Sequence, residues 1–225
     1  MSQAEPMPVV VLISGAGTNL QALIDAIAAG ELHGRIAAVI SNRPGARGLE
    51  RAARAGIPTH ILDHTAYPDR AAFDQAMTSL IDAYTPGLVV LAGFMRILTP
   101  GFVEHYTGRL INIHPSLLPD FRGLKTHERA LRAGVKEHGA SVHFVNNELD
   151  GGPVIMQARV EIRSDDTPGT LTARVQQREH RLYPRAVGLF TAGRLALHDG
   201  QVWLDHKPLD APLDMDADSQ GMQEN

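Results

Sequence analysis

The chain contains no cysteine among its 225 residues. Without cysteine there is no disulfide, no thiolate metal ligand and no thiol nucleophile. An acyl group handled by this protein would therefore pass directly between two substrates, or through a serine. The sequence also lacks an apolar run of about 18 residues and begins with a polar, acidic segment, so we expect no membrane span, no signal peptide and a cytoplasmic location.

A metal-binding histidine pattern and a basic surface are also missing. The chain has 11 histidines, but His127 and Glu128 are followed by Arg-Ala-Leu, which breaks the His-Glu-x-x-His spacing of a zinc site. We therefore expect no metal. The net charge is -4, and residues 1–204 carry 20 basic and 19 acidic side chains. This balance argues against nucleic acid as a partner, while a local basic pocket for a small anion stays compatible with it.

The chain length favours one domain with short appendages. Residues 1–7 are predicted to form a flexible extension, residues 8–208 a single domain, and residues 209–225 an acidic tail. The tail is poor in aromatic residues and rich in Asp, Pro and Gln, a composition that predicts disorder. Deleting residues 210–225 is accordingly expected to leave melting temperature and activity nearly unchanged.

Short apolar runs alternate with helical patterns along most of the chain. Strands are predicted at residues 9–13, 36–40, 59–62, 88–92, 110–114, 140–145 and 154–160. Helices are predicted at residues 20–27, around Leu49 to Ala53, and at 68–83, 100–106, 126–133 and 168–189. Strands that are apolar throughout, separated by helices, indicate a doubly wound α/β fold with a mostly parallel sheet and helices on both faces.

The segment 110–119, Leu-Ile-Asn-Ile-His-Pro-Ser-Leu-Leu-Pro, ends an apolar strand with two polar side chains. Asn112 and His114 are two residues apart and leave the same face of that strand. An amide donor beside a titratable imidazole suits the stabilisation of an oxyanion. Asp150 lies in a glycine-rich turn further along, and a carboxylate that reaches an imidazole favours its charged form and fixes its tautomer. The alternative is that these residues merely satisfy local backbone.

Two other segments allow two interpretations each, and a third has one simple interpretation. Gly15 and Gly17 follow the first strand and precede Thr18 and Asn19, which favours either a phosphate at a helix N-terminus or a simple turn with a side-chain cap. Residues 92–98 form either an apolar ligand slot or a strand that continues into the core. The polar run 176–179 is most simply a solvated helix face.

Together these motifs resemble the glycinamide ribonucleotide formyltransferases, the folate-dependent transferases of purine biosynthesis. The resemblance rests on Val-Leu-Ile-Ser-Gly-x-Gly-Thr-Asn-Leu, Leu-Ala-Gly-Phe-Met-Arg-Ile-Leu, Asn-Ile-His-Pro-Ser-Leu-Leu-Pro and Glu-Leu-Asp-Gly-Gly-Pro, and it covers residues 8–205. One departure is Lys125, where the family more often has histidine. A related formyl-folate transferase or hydrolase is the alternative enzyme, and a nucleotide-sugar binder the alternative without catalysis.

The resemblance implies a Rossmann-like formyltransferase fold, 10-formyltetrahydrofolate as co-substrate, 5-phosphoribosylglycinamide as acceptor, and a monomer or homodimer. It assigns catalysis to Asn112, His114 and Asp150. It assigns the ribonucleotide to Gly17, Thr18, Asn19, Gln176, Gln177, Arg178 and Glu179. It assigns the folate to Arg70, Met95, Arg96, Ile97, Leu98, Asn112, Asn146, Asn147, Glu148, Leu149 and Asp150.

Overall fold

A computed structural model describes residues 5–217 and contains one large sheet and one small one. The strands are β1 Met7–Ile13, β2 Gly34–Ser41, β3 Thr59–Ile61, β4 Leu88–Leu91, β5 Leu110–His114, β6 Glu137–Phe144, β7 Val154–Glu161, β8 Leu195–His198, β9 Gln201–Leu204, β10 Lys207–Pro208 and β11 Leu213–Asp214. The α-helices are α1 Thr18–Ala28, α2 Arg47–Arg54, α3 Arg70–Asp82, α4 Pro100–His105, α5 Thr126–Ala133 and α6 Pro168–Thr191. No helix of this described part is long and apolar enough to cross a membrane.

The large sheet has the strand order β11-β7-β6-β5-β4-β1-β2-β3. Strands β3, β2, β1, β4 and β5 pair in parallel, which confirms the predicted doubly wound, mostly parallel sheet. Strand β6 runs antiparallel to both β5 and β7, and the sequence analysis did not predict this reversal. Only a loop separates β6 from β7, and a parallel pair needs a longer crossover.

Alternating residues of β1 explain the two layers of core. Val9, Val11 and Ile13 face one cluster, while Val10 and Leu12 face the other. Every second side chain points to the same face of a strand, so a strand buried on both faces must be apolar throughout. Helices α1 and α6 cover the first face, and α3 and α4 cover the second.

Helix α6 is the longest helix, and its position relative to the strand ends matters for the site. It begins with a capping box in which the Thr167 and Thr170 side chains each bond the other's backbone, and Pro168 occupies the first turn. At its middle the buried Tyr183 hydroxyl lies 2.9 Å from the Leu91 carbonyl and 3.2 Å from the Ile111 carbonyl. This contact ties α6 to the last residue of β4 and to the second residue of β5.

The C-terminal part differs from the sequence expectation. Residues 195–208 form a small antiparallel sheet, and β11 pairs with β7 at the edge of the large one. Met215 is 3% exposed, and Asp216 forms an ion pair with Arg178. A disordered tail is therefore wrong for residues 213–216, because one buried methionine and an edge-strand pairing anchor an otherwise polar segment. Residues 1–4 and 218–225 lie outside the described residues, and the domain boundaries stay predictions.

The docked tail should contribute to stability, so the expectation that deleting residues 210–225 leaves the melting temperature nearly unchanged no longer holds. Met215→Ala removes a buried side chain and should lower the free energy of unfolding by about 2 kcal/mol, which corresponds to a fall in melting temperature of about 4–8 °C for a protein of this size. Asp210→Ala, at an exposed position of the same segment, is the matched control and should leave the melting temperature unchanged. Equal melting temperatures for both variants would mean that the tail is not packed.

Candidate active site

Strand β5 delivers the two polar side chains that the sequence singled out. The pairing of Leu91 with Asn112 places the ends of β4 and β5 at one edge of the sheet, where ligands bind in open α/β folds. Asn112 is half-buried and His114 is 6% exposed. Both leave the same face of β5, as the spacing predicted.

Asp150 reaches this face from the loop between β6 and β7. Its Oδ2 lies 3.4 Å from His114 Nδ1 and accepts a hydrogen bond from the Gly123 amide at 2.8 Å. The backbone of Asp150 has φ +48°, a left-handed conformation for which aspartate is enriched among non-glycine residues. The structure thus brings Asp150 to His114, a contact between two side chains that lie 36 residues apart in the chain.

His143 is a member of the site that the sequence analysis missed. It lies directly opposite Asn112 on β6, and its Nε2 is 3.2 Å from Asn112 Nδ2. Its Nδ1 donates to the Phe144 carbonyl at 2.8 Å, so Nε2 of the neutral ring carries the lone pair that accepts from the amide. Burial lowers the pKa of His143 and favours this neutral form. Only the β5–β6 register reveals the pairing, because His143 looks like an isolated histidine in an apolar strand.

The loop after β5 covers the other edge of the imidazole. His114 Nε2 lies 3.1 Å from the Phe121 carbonyl, so His114 contacts Asp150 on one nitrogen and this loop on the other. Behind the loop, His138 Nε2 lies 3.1 Å from His127 Nδ1, and burial lowers the pKa of His138 to about 4. Lys125 ends the loop with φ +57° as the N-cap of α5, and its Nζ is 3.8 Å from Glu128.

The glycine turn after β1 meets α6. Gly17 is the N-cap of α1 with φ +69° and no side-chain cap, so the simple-turn interpretation with Thr18 or Asn19 as cap is wrong. Thr18 Oγ1 accepts a hydrogen bond from Gln176 Nε2 at 2.9 Å, and Asn19 Nδ2 donates to Glu179 Oε2 at 2.9 Å. Asn19 Oδ1 is buried without a partner in the described residues, which leaves an acceptor for a ligand.

The polar run on α6 divides between two faces. Glu179 is 8% exposed, and burial raises the pKa of its carboxyl group, so a solvated face is the wrong interpretation for this residue. Gln176 and Glu179 turn towards α1 because residues three apart share a helix face. Gln177 is exposed, and Arg178 pairs with Asp216 of the tail. The structure brings Gln176 and Glu179 to the glycine turn, and it places Gln177 and Arg178 elsewhere.

The segment after β4 buries Ala92 and Phe94 but exposes two of its other apolar side chains. Met95 is 64% exposed and Ile97 is 60% exposed, which favours the ligand slot over a core strand. The Met95 amide is held at 2.7 Å by the buried Ser14 hydroxyl, and the Arg96 guanidinium lies 5.6 Å from the centre of the Phe73 ring.

The other predicted folate positions lie at the surface with diverse contacts. Arg70 is exposed at the start of α3, Leu98 is half-buried and Leu149 is 58% exposed. In the loop that carries Asp150, three side chains bond neighbours: Asn146 with Gly151, Asn147 with Glu104 and Glu148 with Arg122. These contacts shape the loop but do not by themselves show a folate site.

Comparison with known proteins decides the family. The sequence profile described as formyl transferase matches residues 7–187. The phosphoribosylglycinamide formyltransferase of Escherichia coli (strain K12) is 55% identical over 203 residues, which cover 90% of this chain and 96% of that protein. This chain belongs to the formyl transferase family. The match confirms the resemblance and the Rossmann-like formyltransferase fold that it implied.

Solved structures of similar proteins agree with this family assignment. The phosphoribosylglycinamide formyltransferase from Coxiella burnetii has a TM-score of 0.90 at 57% identity, covering 93% of this chain and 99% of that one. Glycinamide ribonucleotide transformylase 1 from Symbiobacterium toebii has a TM-score of 0.86 at 46% identity, covering 90% and 95%. Within residues 5–217 of this formyltransferase, no three His, Asp or Glu side chains are grouped to hold a metal ion; a metal-free reaction stays a prediction.

The His143 contact makes a prediction about formyl transfer. His143→Leu removes the acceptor that orients the Asn112 amide and should lower kcat about fivefold, the effect of losing one hydrogen bond of about 1 kcal/mol in the transition state. His33→Leu, at an exposed position, is the control and should retain the wild-type kcat. Steady-state rates on folded variants test this, and a normal kcat for His143→Leu would remove the residue from the site.

Proposed function

We propose that this formyltransferase transfers the formyl group of 10-formyltetrahydrofolate to the amine of 5-phosphoribosylglycinamide in purine biosynthesis. The observation that carries the proposal is that Asp150, His114 and Asn112 meet at the same sheet edge as the glycine turn before α1. The three side chains suit acyl transfer, and the glycine turn suits a phosphate. One acceptor that carries both an amine and a phosphate therefore fits the whole edge.

The proposed reaction needs no covalent intermediate on the enzyme. The acceptor amine attacks the formyl carbon, and the carbonyl electrons move to oxygen to give a tetrahedral oxyanion. Asn112 donates its amide hydrogen that does not contact His143, and the His114 imidazolium donates to the same oxygen. When the bond from carbon to the folate nitrogen breaks, the proton lost by the amine reaches that nitrogen with the help of Asp150, directly or through water.

The contact between His114 and the Phe121 carbonyl must be exchanged during this cycle. His114 Nδ1 faces the Asp150 carboxylate, so Nε2 is the nitrogen whose proton can reach the formyl oxygen. That proton points to Phe121 in the described structure. We therefore propose that the loop after β5 moves when the substrates bind, and that the formyl oxygen replaces the Phe121 carbonyl as acceptor.

The two substrates occupy different parts of the edge in this proposal. Amides at the start of α1 hold the phosphate, with Gly17, Thr18 and Asn19 as the residues concerned, and Gln176 and Glu179 contact the ribose. The folate lies along residues 95–98 and 146–150, where Met95, Ile97 and Leu149 offer exposed apolar surface. Gln177 and Arg178 are left out, because one is exposed and the other pairs with the tail.

A formyltetrahydrofolate hydrolase with the same catalytic trio is the second candidate, because replacement of the Phe121 carbonyl by the formyl oxygen would serve attack by water as well as attack by an amine. The buried, unpartnered Asn19 Oδ1 and the buried Glu179 favour the transferase, because a hydrolase has no use for ribose contacts. A cytoplasmic location, the absence of nucleic acid partners and a monomeric or dimeric state stay predictions.

An acceptor comparison tests the proposal. With 10-formyltetrahydrofolate as donor, 5-phosphoribosylglycinamide should be formylated, and the dephosphorylated riboside should have a kcat/KM lower by about 100-fold or more, since it lacks the charge-assisted hydrogen bonds of the phosphate. Formylated product is measured separately from free formate. Equal use of both acceptors, or formate release that does not depend on any acceptor, would contradict the transferase assignment and favour the hydrolase.

Asp150→Asn tests the catalytic role of the trio. The variant keeps the size of the side chain but loses the charge that faces His114, so kcat should fall by about 100-fold or more. The KM for either substrate should change by less than about threefold, because the proposed role is electrostatic support in the transition state. Asp120→Asn, at an exposed position of the neighbouring loop, is the control. Wild-type turnover in Asp150→Asn would reduce this residue to a loop carboxylate.

A further inference from the structure

Two consecutive carbonyl groups of the glycine turn point towards α2. The Gly15 carbonyl accepts a hydrogen bond from the Gly48 amide at 3.0 Å, and the Ala16 carbonyl accepts one from Arg51 Nε at 2.9 Å. Arg51 Nη1 also donates to Gln21 Oε1 on α1 at 3.2 Å. Contacts to the turn and to α1 therefore fix the orientation of the Arg51 guanidinium.

Because peptide groups are planar, these contacts also fix the directions of the neighbouring amides. In a planar trans peptide the carbonyl and the next amide point in opposite directions. With the Gly15 and Ala16 carbonyls turned to α2, the Ala16 and Gly17 amides point away from it. Neither amide donates a hydrogen bond to any other part of residues 5–217. Successive amides that converge in a turn form a concave anion site, and the start of α1 adds its own dipole.

Helix α2 lies as close to the turn as two backbones allow. A Cβ on Gly17 would lie 2.5 Å from Gly48 Cα, and one on Gly48 would lie 2.5 Å from Ile13 Cδ1 and 3.1 Å from Gly17 Cα. At this distance the Gly15 carbonyl accepts from a backbone amide of α2, and the Ala16 carbonyl accepts from Arg51, one helical turn further along α2. Arg51 is thus the side chain on which the orientation of the peptide between Ala16 and Gly17 depends.

We propose that Arg51 is a positioning residue for the phosphate of the acceptor: it holds the Ala16 carbonyl against α2 and so aims the Gly17 amide at the phosphate. The inference rests on the proposed function. Arginine suits this task because its planar fork presents Nε and Nη1 together, whereas the single ammonium of a lysine cannot reach both acceptors in that geometry.

Kinetics of three variants test this role. Arg51→Met keeps the length of the side chain and loses the donors, Arg51→Lys keeps the charge and loses the fork, and Arg54→Met removes an exposed arginine of the same helix as the control. Each is assayed with 5-phosphoribosylglycinamide, with its dephosphorylated riboside and with inorganic phosphate as competitive inhibitor. Arg51→Met and Arg51→Lys should raise the acceptor KM and the inhibition constant of phosphate about tenfold, with kcat and the folate KM little changed.

The riboside separates positioning from general damage. The preference for the phosphorylated acceptor, measured as a ratio of kcat/KM values, should fall about tenfold in both Arg51 variants and stay at the wild-type value in Arg54→Met. Equal losses with both acceptors would show a merely structural role and overturn the inference. Wild-type constants in Arg51→Lys would also overturn it, because a charge without the two-donor fork would then suffice. If the wild type fails to use the phosphorylated acceptor, the proposed function fails. If the wild type uses it and the Arg51 variants match the wild type, only this inference fails.

Discussion

The active site depends on the antiparallel register of β5 and β6, which sets Asn112 directly opposite His143. A shift of one residue would turn each side chain to the other face of the sheet and separate the amide from its acceptor. The same pairing brings the loop after β6 to a position from which Asp150 reaches His114. Buried apolar residues on both faces of these strands resist such a shift, so the packing of the core and the geometry of the site are one constraint.

Much of the fold follows from the sequence because its central strands are apolar throughout and its helices are amphipathic. The strand that begins at Leu110 and the helix at 126–133 have the predicted ends. The reversal of β6 and the docking of the tail could not be predicted, since both depend on contacts between distant segments. Residues 209–217 are polar and acidic in composition, but the buried Met215 side chain and the pairing of β11 with β7 anchor them.

The residues of the site differ in the same way: some are predictable from nearby sequence, and others depend on contacts between distant segments. Spacing placed Asn112 and His114 on one face, the glycine-rich turn indicated Asp150 as a carboxylate for the imidazole, and the family resemblance joined the three residues. Neither indicated His143, whose role is defined only by its neighbour across the sheet. Nor could a contiguous run such as 176–179 show that Gln176 and Glu179 meet α1 while Arg178 meets the tail, because that division follows from how α6 is rotated against the sheet.

In the proposed function, the phosphate end of the site is already arranged for its ligand, whereas the formyl end must rearrange. At the acceptor end, the carbonyls of Gly15 and Ala16 are already held away from the phosphate, so binding requires little rearrangement. At the reacting end, the Phe121 carbonyl occupies the nitrogen of His114 that the formyl oxygen needs. A prepared acceptor site lowers the cost of ordering on binding, whereas a covered imidazole is released only when a substrate displaces the loop. In this proposal the Nε2 proton of His114 becomes available to the formyl oxygen only after the loop after β5 has moved.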